Sequence, residues 1–107
     1  MERRILFAAL FLAASATHMP AEAATCVTPD DGRYTCTFEQ FGGDGSFTVN
    51  APGKPAYTIS IVSQGLADGF ADYGTGRNVS LPGPFVRSAT ERACWVSDAT
   101  GFSICVH

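Results

Sequence analysis

A chain of 107 residues with seven Lys and Arg against ten Asp and Glu has room for a single domain and carries a formal charge of −3 at pH 7. Its few basic residues are scattered, so it lacks the electrostatic footprint that a polyphosphate backbone requires, and nucleic acid is excluded as a partner class. With only two histidines, His18 and His107, the choice of metal sites and activated nucleophiles is already narrow.

The N-terminus reads as a secretory leader. Glu2-Arg3-Arg4 gives a charged start, Ile5 to Ala14 an apolar run, and Ala21-Glu22-Ala23 a small-x-small cleavage site preceded by Pro20. An apolar run of about ten residues is half of the roughly 20 that cross a bilayer as a helix, so a cleaved leader over 1–23 is expected rather than an anchor. Lipid attachment at Cys26 is disfavoured, because Thr25 precedes it and the apolar run ends well upstream. The remaining domain, 24–107, keeps Arg33, Lys54, Arg77, Arg87 and Arg92 against eight carboxylates. It has no second apolar span and no basic amphipathic segment, so no membrane association is expected after processing. Export to the periplasm or the medium permits disulfides, which a domain of this size needs to supplement a modest core.

From Thr25 onward, Gly, Pro, Asn and Asp recur every eight to twelve residues between short runs rich in Thr, Val, Ile, Phe and Tyr. That spacing predicts an all-β domain, a small antiparallel sandwich or barrel of about six to eight short strands. Tyr34, Cys36 and Phe38 alternate with Thr35, Thr37 and Glu39, and Phe47 and Val49 alternate with Ser46, Thr48 and Asn50 beyond Gly42-Gly43-Asp44-Gly45. This is a hairpin with one buried face. Tyr57, Ile59 and Ile61 mark the strongest strand, expected to be central. The stretch Gly65 to Gly76 holds too many glycines for a helix and reads as loop-rich, with a strand only near Phe70 to Tyr73. Val79 and Leu81 suggest another short strand, ended by Pro82-Gly83-Pro84, and Phe85 and Val86 begin the next. Ser88 and Glu91 have capping-box spacing, but Cys94, Trp95 and Val96 also suit a strand, and the strand is preferred.

The cysteines give the sharpest structural expectation. Reflection about the turn Asp98-Ala99-Thr100-Gly101 sets Cys94 opposite Cys105, Trp95 opposite Ile104 and Val96 opposite Ser103. Ala93, Trp95, Phe102, Ile104 and Val106 then share the core face, with the disulfide on the other face. Taking Asp30-Asp31-Gly32 as a three-residue loop sets Cys26 opposite Cys36. Of the three connectivities that four cysteines allow, Cys26 to Cys36 with Cys94 to Cys105 is preferred. Neither pair has CxxC spacing, so structural bridges are expected instead of metal or redox chemistry.

No catalytic constellation emerges. His18 belongs to the leader and His107 is the last residue, which leaves a nucleophile without an oriented base. The carboxylate pairs Asp68 with Asp72 and Asp30 with Asp31 read as solvated turn residues, not as a glycosidase pair. The segment Gly42 to Gly45 reads as a turn, not as a calcium or phosphate loop, and Asn78-Val79-Ser80 as a chance match to a glycosylation acceptor. No enzyme activity, cofactor or metal is expected. Most of the aromatics alternate along strands and belong to a core. Tyr73 is different: together with Asp68, Phe70 and Asp72 it forms the expected partner-binding surface.

The opening Tyr34-Thr35-Cys36, the late Cys105 and the small acidic all-β outline resemble the periplasmic lysozyme inhibitors over a few residues. The resemblance implies that inhibition is a reasonable class for such a chain. The expected function is thus that of an exported binding or inhibitory module, monomeric by default, that recognises a protein or glycan by surface contact. The alternatives are a carbohydrate-binding domain and a small structural or host-facing secreted protein.

Overall fold

The computed structural model describes residues 20–107, and most of the expected leader lies outside them. Nine strands form in chain order: β1 Glu22–Thr28, β2 Gly32–Phe41, β3 Ser46–Asn50, β4 Ala56–Ser63, β5 Leu66–Asp72, β6 Val79–Ser80, β7 Phe85–Arg87, β8 Cys94–Ser97 and β9 Ser103–Val106. No helix is present among the described residues. The capping spacing at Ser88 survives as a turn: its Oγ accepts the Glu91 N–H at 3.0 Å, and the chain then enters β8.

All pairings are antiparallel. The sheet closes because β4 pairs with β5 on one side and β1 with β9 on the other, giving an eight-stranded up-and-down barrel in which β6 is an extra strand on β5. Of the two expected architectures the chain therefore adopts the barrel. Closure removes the unpaired edges that an open sheet would expose. The expected central strand, β4, is flanked by β3 and β5.

Inward positions alternate with outward ones along each strand. The waist of the barrel is filled by Phe85, Ile59, Ile104, Val49 and Cys26, all essentially inaccessible. The segment read as loop-rich needs correction here, because Leu66–Asp72 is a seven-residue strand. Its Gly69 was counted as a chain breaker, but it serves packing instead. A Cβ at position 69 would lie 2.5 to 3.0 Å from three carbons of the Phe85 ring. Ala67 and Ala71 flank it on the same buried face, so β5 offers a groove of small residues that receives Phe85.

Both expected disulfides form. In the β8–β9 hairpin the register is as expected, with Cys94 opposite Cys105 and Trp95 opposite Ile104. Trp95 and Ile104 join the core cluster on the inner face. The first hairpin differs. Thr28 pairs with Gly32, so Cys26 faces Tyr34 and Cys36 faces Ala24. The cause is local: the Asp31 N–H donates to Thr28 Oγ1 at 3.0 Å, and that hydroxyl donates to Asp31 Oδ2 at 2.8 Å, closing the turn over Pro29, Asp30 and Asp31. Because the slip amounts to two residues, each side chain keeps its face. The bridge is then diagonal, with a Cα separation of 5.9 Å.

Strand β1 begins at Glu22, and Glu22 and Ala23 pair with Phe38 and Thr37. A chain starting at Ala24 keeps β1 from its third residue onward.

The two bridges span 10 and 11 residues, so their effects on unfolded-chain entropy are nearly equal, about 2.5–3 kcal/mol each. They differ in setting, since Cys26 and Cys36 belong to the core cluster whereas Cys94 and Cys105 do not. The double variant C26S/C36S, which buries two hydroxyls in the lumen, is expected to lower the urea midpoint more than C94S/C105S.

Candidate functional site

The up-and-down course sends the β1–β2, β3–β4, β5–β7 and β8–β9 connections to one end of the barrel, called the mouth here, and the others to the opposite end. Side chains fill the waist, so open space remains only at the ends.

At the mouth lies a cleft of about 440 Å³, within the range of small-ligand sites. Four aromatic residues line it: Tyr57 at the start of β4, Tyr73 just after β5, Phe85 at the start of β7 and Phe102 before β9. The Tyr57 and Phe102 rings lie 5.8 Å apart between centroids and are tilted by 46°, so they form a corner instead of a stack. Pro29, Leu81 and Pro82 add apolar wall, and Asp30 and Thr100 supply polar groups. Tyr57 and Phe85 are buried at the base, whereas Tyr73 is 60% exposed.

The cleft is held from behind by a hydrogen-bond cluster. Asp31 Oδ2 accepts the Tyr57 hydroxyl at 2.9 Å as well as the Thr28 hydroxyl. Burial pushes the Tyr57 phenol well above its usual range, and the hydrogen bond to Asp31 and the charge of that carboxylate push in the same direction. Tyr34, also raised by burial and then by Asp31, has its hydroxyl buried without a hydrogen-bond partner among the described residues. Lys54 Nζ lies over the Tyr34 ring, 5.3 Å from its centroid. On the other side the β6–β7 connection is tied to β8, since Ser97 Oγ donates to the Pro82 carbonyl at 2.6 Å and the Asp98 N–H to the Pro84 carbonyl at 2.8 Å.

The four residues expected to bind a partner are separated by the strand geometry. Ala67, Gly69 and Ala71 face inward, so Asp68, Phe70 and Asp72 lie on the outer wall. Asp72 is occupied in holding its own loop, its Oδ1 accepting the N–H groups of Gly74, Thr75 and Gly76 at 2.9, 3.0 and 3.1 Å. Tyr73 alone reaches the cleft. Its companions Tyr57, Phe85 and Phe102 read in sequence as core residues. They alternate like ordinary core residues, and only their position at strand ends that share one pole of the barrel marks them otherwise.

A second cleft, of about 430 Å³, lies at the opposite end between Phe38, Phe47 and Trp95. There the Arg87 guanidinium sits 5.3 Å from the Trp95 ring centroid, and Arg87 Nε donates to the Arg92 carbonyl, so the protein's own side chain covers the aromatic face. Among the described residues no group of three or more His, Cys, Asp and Glu is placed to hold a metal ion. No protein-family model, curated protein or solved structure matches the chain.

Two outcomes follow. Gly69→Ala forces the Phe85 ring from its groove and is expected to lower stability by about 1–3 kcal/mol, measured by denaturant unfolding. The second concerns alkaline pH. The fold favours the protonated Tyr57 over the unfolded chain, in which tyrosine ionises near pH ~10. The resulting stability is complete below that pH and is lost as the pH rises above it. Tyr57→Phe is expected to flatten this alkaline decline in a pH series of melting temperatures.

Proposed function

We propose that the chain is an exported binding or inhibitory module whose recognition surface is the mouth of the barrel. The observation that carries this reading is the aromatic cleft itself, with an exposed tyrosine at its rim and buried rings at its base. A large exposed ring next to a preformed apolar recess binds at low ordering cost, because the strand ends and tied connections already fix the walls. Two disulfides support an oxidising compartment. The lining offers ring surface, the Asp30 carboxylate and the Tyr73 and Thr100 hydroxyls, a set suited to holding a partner.

Tyr73 is the best probe, since its exposure lets it be replaced without opening the core. Native mass spectra of wild type and Tyr73→Ala, each purified gently from the export compartment, are expected to show a stoichiometric adduct in the first and its loss in the second. The same adduct on both proteins would move recognition away from the mouth.

A further inference from the structure

The chemistry of the mouth narrows what it accepts. Resting on the reading above, we infer that the cleft binds a small soluble alkylammonium ion, a quaternary or methylated amine, held at its rim by Tyr73 and Phe102.

Three features lead there. First, the exposed Tyr73 ring and the half-buried Phe102 ring border a recess floored by the buried Tyr57 and Phe85, and aromatic faces attract cations through their quadrupole. Second, two carboxylates stand in and behind the lining, whereas the nearby Lys54 is placed over Tyr34. Asp30 is in the lining, and the Asp31 carboxylate accepts the Tyr57 hydroxyl at 2.9 Å, which puts negative charge behind that ring and makes its face a better host for a cation. Among the described residues no Lys or Arg lines this cleft. Third, the protein applies the same chemistry at both ends of the barrel. Lys54 sits over Tyr34 and Arg87 over Trp95, both at 5.3 Å, whereas the rings lining the cleft have no internal cation over them among the described residues.

A primary ammonium keeps a strong hydration shell that a largely apolar recess replaces poorly. A methylated ammonium is weakly hydrated and presents methyl groups to rings and prolines, so its cost of entry is lower. The acidic Asp30 at the rim and the absence of lining Lys or Arg suit a soluble cation better than the headgroup of an anionic membrane surface.

Calorimetric titration with choline and with 3,3-dimethylbutan-1-ol, its uncharged isostere, separates the cation from its shape. Choline is expected to bind about tenfold more tightly or better. Tyr73→Phe should retain choline binding and Tyr73→Leu should lose most of it, while Asp30→Asn should weaken choline without affecting the alcohol. Equal binding of choline and the alcohol would overturn the cation assignment and leave a purely apolar cleft. Binding of glucose but not choline, or of phosphatidylcholine vesicles but not free choline, would overturn it as well. If choline fails but the native adduct still depends on Tyr73, the assignment falls and recognition at the mouth stands.

Discussion

An eight-stranded barrel encloses a lumen about as wide as the side chains that point into it, and the rest of this molecule follows from that limit. The lumen cannot hold both a ring from β7 and ordinary side chains from the neighbouring β5. The chain meets the limit with Ala67, Gly69 and Ala71 on β5 and the fully buried Phe85 on β7. With Ile59, Ile104 and Val49 also buried in the lumen, the barrel is a packed core at its waist, and recesses lie at its poles.

The poles then acquire opposite characters from the side chains that end on them. At the mouth the Tyr73 ring faces open space above the buried Tyr57 and Phe85, with Asp31 behind Tyr57 and Asp30 in the wall. At the other pole Arg87 already lies over Trp95. The mouth is also braced across distant segments. The Thr28–Asp31–Tyr57 hydrogen bonds join the first turn to β4, and Ser97 joins the β6–β7 connection to β8, so segments far apart in sequence are held at fixed spacing around the cleft. A rigid rim of this kind lets one exposed ring act as a contact without ordering a loop at the moment of binding.

Much of the fold was legible locally. Alternating residues marked the strands, and the Asp98 to Gly101 turn set the register of Cys94 with Cys105. The Cys26 to Cys36 connectivity was also correct, although its register was off, because the hydrogen bonds between Thr28 and Asp31 that set the turn leave little trace in composition. The strand through Gly69 was read as loop because a glycine that makes room for a ring looks the same in sequence as one that breaks a chain. The site was legible only through Tyr73. Tyr57, Phe85 and Phe102 come to it from three other segments, and their convergence is a consequence of barrel closure, a long-range property that alternation does not encode.

Hydroxyl-radical footprinting of the protein in its own compartment, compared with the purified protein, tests recognition at the mouth whatever the ligand. Tyr73 at the mouth and Phe41 at the end of β2 on the opposite pole are both exposed, at 60% and 43%, so both are expected to label in the purified protein. Protection of Tyr73 with unchanged labelling of Phe41 is the expected result. Equal labelling of Tyr73 in both settings, or protection confined to Phe41, would contradict it.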